Sequence, residues 1–270
     1  AFAVLVRLHG AQARKAITGI TLIAGFASTV GWPLTAWLSA DFGWRAACFA
    51  WAAIHLVIAL PLNRFCLPLP SAEVDRKTVS GNVEEPKANS PAFMLVAIFF
   101  AMTAFVTSAM AAHLPNLLLA TGISTAAALT ASALLGPAQV VARLAEFFAA
   151  GYFRFHPLLT ARVATATHPV AALLLAALGA TPLGAAVFAV VHGAGNGLIT
   201  IARGTVPLAI FGHVGYGARQ GWLSTLGRVM QALAPYLFGL VLDGYGVAAA
   251  LVLSGSLSLA ALAALLMLRH

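Results

Sequence analysis

Apolar residues run along this chain in long blocks separated by short polar turns. Eight blocks have spanning length, at about 16–38, 44–63, 91–112, 125–148, 159–179, 183–203, 219–242 and 247–268. A hydrocarbon core about 30 Å thick is crossed by about 20 helical residues at 1.5 Å each, so the pattern predicts eight transmembrane helices. An apolar stub at 1–6 precedes them, followed by a short basic loop with Arg7, His9, Arg14 and Lys15.

Polar residues inside these blocks fall at helical spacing. In the seventh, Ser224, Arg228, Gln231 and Pro235 share roughly one face; in the fourth, Ser132, Gln139, Arg143 and Glu146; in the sixth, His192, Asn196, Thr200 and Arg203. Charged and amide groups are costly against lipid, so three coincident stripes point to a shared polar cavity. The fifth and eighth blocks lack such stripes and are expected to face lipid. Gly193, Gly195 and Gly197 would let helix backbones approach closely.

Composition excludes an ordinary soluble domain, because 61% of the 270 residues are hydrophobic and 8% charged. The net charge of +8 therefore bears on topology and not on nucleic acid. Basic residues gather before the first block, in the linker between the second and third, in the Arg154 to Arg162 turn, from Arg203 to Arg219 and at Arg269, while the alternate turns carry almost none. By the positive-inside rule the linker and the carboxy-terminus are expected in the cytoplasm, in a plasma membrane such as the bacterial inner membrane. Cys48 and Cys66 fall at the two ends of one predicted helix, about 27 Å apart, too far for a disulfide.

The linker, residues 66–90, is rich in charge, proline and small polar residues and divides the chain. A shift of about 202 residues pairs Gly19 with Gly221, Gly25 with Gly227, Pro33 with Pro235 and Asp41 with Asp243, as internal duplication in a transporter would.

Gly31-Trp32-Pro33-Leu34-Thr35-Ala36-Trp37-Leu38, followed by Asp41-Phe42-Gly43-Trp44-Arg45, resembles the fifth helix and following turn of major facilitator superfamily transporters. Ala234-Pro235-Tyr236-Leu237-Phe238-Gly239 through Asp243 is similar to that family's eleventh helix. The resemblance implies helices five to twelve of a twelve-helix, two-bundle protein: residues 1–65 as the remnant of an amino-terminal bundle, 66–90 as the linker and 91–270 as a carboxy-terminal six-helix bundle. About 110 residues, including the first helices of the amino-terminal bundle, would then lie upstream. Two positions depart from the family pattern. Trp32 stands where an antiporter motif has a glycine, and Gly151 to His156 lacks the aspartate of the usual loop. The run His113-Leu114-Pro115-Asn116 resembles the monocarboxylate-porter branch, in which Arg143 would match an anion-contacting arginine.

The expected function is secondary transport of a small organic anion by alternating access, since cavity cations outnumber acids. Efflux of a neutral or cationic compound is the alternative, and a polytopic enzyme or sensor is a further one of another class. Arg228, Gln231, His192, Asn196, Gln139 and Arg143 are the candidate binding or gating residues, Arg228 as the guanidinium for an anionic group. Glu146, the acid within a block, is expected to pair with Arg143 or with a basic residue of a neighbouring helix, as a proton-coupling or gating ion pair; a pairing of Arg228 with Glu146 competes with the ligand role. No metal spacing, nucleophile elbow or phosphate loop is present in the sequence, so neither cofactor nor catalysis is expected.

Overall fold

The computed structural model describes residues 2–66, 90–152 and 156–268. Among them no strand occurs. The elements are α1 (Phe2–His9), a 3-10 turn (Gly10–Gln12), α2 (Ala13–Ile54), a π turn (His55–Ala59), α3 (Leu60–Cys66), α4 (Pro91–Ala120), α5 (Thr125–Ala133), α6 (Leu135–Tyr152), α7 (Pro157–Leu178), α8 (Pro182–Phe211) and α9 (Tyr216–Met267). Among the described residues, 6 helical stretches are long and apolar enough to cross a membrane. The chain is thus an all-α membrane protein. Most of the linker expected at 66–90 lies outside the described residues.

Local sequence sets the helix starts. Ser90, Ser124 and Thr181 accept backbone N–H bonds from Phe93, Ala127 and Gly184 at 3.2, 3.3 and 3.0 Å. Pro91, Pro157 and Pro182 occupy first helical positions, where a missing N–H costs nothing. The block at 125–148 is broken between α5 and α6, because Pro137 has no N–H for the Ala133 carbonyl; Leu134 instead turns tightly onto Ala131 at 3.0 Å.

α2 and α9 each hold two of the blocks separated in the sequence. At 52 residues α9 would be about 78 Å long if straight, more than twice a hydrocarbon core. Each is broken at a glycine with positive φ, Gly43 (φ 82°) and Gly246 (φ 80°), a conformation that penalises any β-carbon. At Gly43 the chain reverses. Trp51 Nε1 donates to Thr35 Oγ1 at 2.9 Å, although 16 residues of straight helix would hold them about 24 Å apart. In α9, Leu223 and Leu265 share one apolar cluster with Val96 and Leu158, whereas a straight helix would separate them by about 63 Å. Both helices are hairpins.

The chain divides into two compact units, residues 1–25 with 85–270, and residues 26–84. In the smaller unit the α2 hairpin around Gly43 carries edge-to-face packing of Trp37 on Phe42 and leaves Phe49, Val57 and Phe65 exposed. Cys48 there is free and exposed.

In the larger unit, α4, α5 with α6, α7, α8 and the two halves of α9 make successive passes. α4 runs parallel to the first half of α9: Gly227 lies beside Phe100 and Ala104, Ser108 bonds Gln231 and His113 bonds Pro235. α8 runs parallel to α6, with Gly193 against Leu135 and Gly197 against Gln139. α7 is antiparallel to the second half of α9, where Arg162 donates to the carbonyls of Leu265 and Leu268 at 2.9 and 3.0 Å and His168 meets Ser258 at 3.3 Å. The fifth and eighth blocks, expected to face lipid, therefore share a polar seam; only their outer faces, with Leu173, Val252 and Leu266, are exposed. Residues before Gly25 join this unit through Val6, Ala13 and Ile17, packed against Leu208 and Tyr216.

The closest backbone approach generates a prediction. A β-carbon at Gly197 would stand 2.5 Å from the Gln139 carbonyl oxygen, which belongs to rigid backbone, while one at Gly221 would meet nothing within 4 Å. Gly197→Ala should therefore lower stability by about 1–3 kcal/mol and Gly221→Ala should not, read as melting temperature in detergent.

Candidate polar site among α4, α6, α8 and α9

α8 presents three faces, each set by the residues at helical spacing. Gly193, Gly197 and Thr200 look toward α6; His192 and Gly195 look toward α7; Asn196 and Arg203 look toward α4. The polar site forms where the first and third of these faces meet their neighbours.

Arg143 anchors it from α6. Its side chain is 7% exposed, and it donates to Gln139 Oε1 at 3.3 Å, Thr200 Oγ1 at 3.2 Å and the Gly197 carbonyl at 3.3 Å. The glycine at 197 thus serves twice, admitting α6 and leaving its carbonyl open to the guanidinium. Gly25 of α2 also lies against Arg143, in the space that a β-carbon there would need. On the other face, Thr107 donates to Asn196 Oδ1 at 3.3 Å and Arg203 donates to Thr103 Oγ1 at 3.1 Å.

Arg228 is exposed and donates to Gln231 Oε1 at 3.1 Å, three residues on along α9. Arg143, Arg203 and Arg228 therefore stand around α8 and α9 with neutral hydrogen-bond partners. Among the described residues the salt bridge is elsewhere, between Arg14 and Glu146 at 3.4 Å.

That pair decides between the alternatives left open for Glu146 and Arg228. Glu146 does not bond Arg143, because three residues of helix turn the two side chains about 60° apart and Arg143 is drawn to Thr200 and Gly197. It meets instead a basic residue of another helix, Arg14 of α2, and accepts from Thr160 of α7 at 3.4 Å. Nor does Arg228 pair with Glu146; its partner is Gln231.

His192 stands apart from the other expected residues. Its ring stacks on His168 at 4.3 Å and on Phe188 at 5.6 Å, inside the packing of α7 on α8. Gln139, Arg143 and Asn196 are brought together by Thr200, whose hydroxyl also donates to the Asn196 carbonyl at 3.0 Å. Ser132 turns back to the Ala128 carbonyl within its own helix, at 2.7 Å.

Sequence reasoning missed Thr103 and Thr107, which lie one turn apart on α4 and follow the period used for the other stripes. It placed Arg14 in a loop, and no local signal ties it to an acid 132 residues away.

Chemically, the arrangement offers a buried, a half-buried and an exposed guanidinium group, three amides and several hydroxyls, suited to holding an oxyanion. In comparisons with protein-family models and with curated proteins, the chain matches none.

The buried acid gives a test. Arg14→Ala and Glu146→Gln should each cost about 1.5–3 kcal/mol, and the double variant less than their sum, because either change alone leaves the other side chain without its ion-pair partner. A double-mutant cycle on thermal unfolding in detergent measures this, and strictly additive losses would remove the coupling.

Proposed function

We propose that this chain belongs to a secondary transporter of the major facilitator type, which moves a small organic anion by alternating access of two helical bundles. The observation that carries the reading is the set of Arg143, Arg203 and Arg228, three guanidinium groups on apolar spanning helices whose hydrogen-bond partners are amides, hydroxyls and a carbonyl. Cations in such a setting are costly unless they have a use, and an anionic substrate supplies one. The helical hairpins lend support. Gly43 and Gly246 take nearly the same positive φ, each within three residues after an aspartate, one position out of register with the 202-residue repeat.

On this reading Arg228 and Gln231 meet the substrate, Arg143 with Gln139 and Asn196 shapes the far wall, and His192 holds α7 to α8. Glu146 acts through Arg14 as a gate that a proton can open. The carboxy-terminus and the linker face the cytoplasm, since they carry the basic residues.

The test is counterflow of radiolabelled small carboxylates in proteoliposomes of the full-length protein. Saturable exchange is expected, with Arg228→Ala raising the half-saturation concentration by about tenfold or more, the worth of one charge-assisted bond. Glu146→Gln should preserve exchange while abolishing its dependence on a proton gradient. Saturable exchange of neutral or cationic compounds, with none of carboxylates, would replace the anion reading with efflux.

A further inference from the structure

A cavity of 260 Å³ opens where α2 begins, α7 begins and α8 ends, lined by Arg14, His156, His213, Pro157, Thr205 and Leu208 among others. Its position follows from the helices. α7 and α8 are both of spanning length, so the start of one and the end of the other lie at the edge of the hydrocarbon, at the level of lipid headgroups.

Among the described residues the lining has three basic side chains and no Asp or Glu. His156 Nδ1 accepts from the Leu158 amide at 3.3 Å, which sets the proton of the neutral ring on Nε2. Arg14 brings a guanidinium whose Nη2 also reaches Glu146. Just beyond the end of α8, the carbonyls of Gly212 and Val214 are taken by Arg219 from the side. The remaining wall is apolar, formed by Pro157, Leu208 and Ala209. Basic donors on one side and hydrocarbon on the other match a phosphate ester joined to an apolar body.

We propose that this cavity binds a phosphate group, presented by the headgroup of an anionic phospholipid, through Arg14, His156 and His213. The site is separate from the Arg143 and Arg228 cluster and does not depend on what the protein transports. Basic pockets between spanning helices are the places where anionic headgroups lodge. Because Arg14 serves both Glu146 and the cavity, an occupant draws on the same guanidinium that holds the buried acid.

The experiment compares phosphatidylglycerol with phosphatidylcholine in nanodiscs of the whole chain, counting lipid retained on the protein by native mass spectrometry, with inorganic phosphate as a soluble competitor. The variant is His156→Asn together with His213→Ala; Asn keeps an acceptor to cap α7, and His213 lies exposed beyond the end of α8, so folding is preserved. Phosphatidylglycerol should be retained about tenfold over phosphatidylcholine, and the variant should lose that preference, as expected for the loss of two bonds to a charged group. Equal retention of both lipids, with inorganic phosphate bound by the parent chain and not by the variant, would keep the phosphate site and assign its source to solution. A preference unchanged both in this variant and in Arg14→Ala would overturn the proposal, as would equal retention of both lipids with no binding of phosphate.

Discussion

Polar backbone groups inside a spanning bundle have no water to turn to, and the large unit is arranged around meeting that constraint. Pro235 removes the N–H that would serve the Gln231 carbonyl, and Ser108 of α4 donates to that carbonyl at 2.8 Å. Arg162 of α7 serves the last carbonyls of α9, and Arg219 those after α8. The repairs by Ser108 and Arg162 reach across from another part of the chain, so satisfying the backbone also fixes which segments are neighbours. The helices are joined by the defects in their own ladders.

Close approach is the second half of the same constraint. Hydrocarbon surrounds helices as favourably as a neighbouring helix does, so contact has to come from fit and from hydrogen bonds. Gly193 and Gly197 admit α6, and Gly195 admits the Thr167 hydroxyl and the Ala164 carbonyl of α7. With backbones this near, Arg143 can span from α6 to the Gly197 carbonyl and the Thr200 hydroxyl in one side chain. The polar site thus exists because small residues stand beside it. A larger residue at 197 would move α6 away and leave the guanidinium without two of its acceptors.

Much of this was readable in one dimension, for a physical reason in each case. Spanning blocks are legible because hydrocarbon thickness fixes their length, and helix starts because Ser90, Ser124, Thr181 and the following prolines act within one turn. The stripes through Gln139 and Arg143, and through Asn196 and Thr200, were legible because the helical period places them on one face, and these four do meet. His192 shares a stripe with Asn196, yet a modest rotation about α8 sends it to His168 instead. Periodicity gives an angle around one helix; it does not say which neighbour stands at that angle.

The sequence by itself determined that the chain is helical and apolar enough to live in a membrane, that it turns at Gly43 and Gly246, and that polar side chains recur inside its spans. These properties are local, governed by the few residues of a turn or by the water-to-lipid transfer of one segment. Tertiary structure alone decided the partners: Glu146 with Arg14 and not Arg143 or Arg228, Ser108 with the carbonyl freed by Pro235, and α7 with the last half of α9. Pairing depends on distances between residues more than a hundred positions apart, and those distances exist only once the helices are packed.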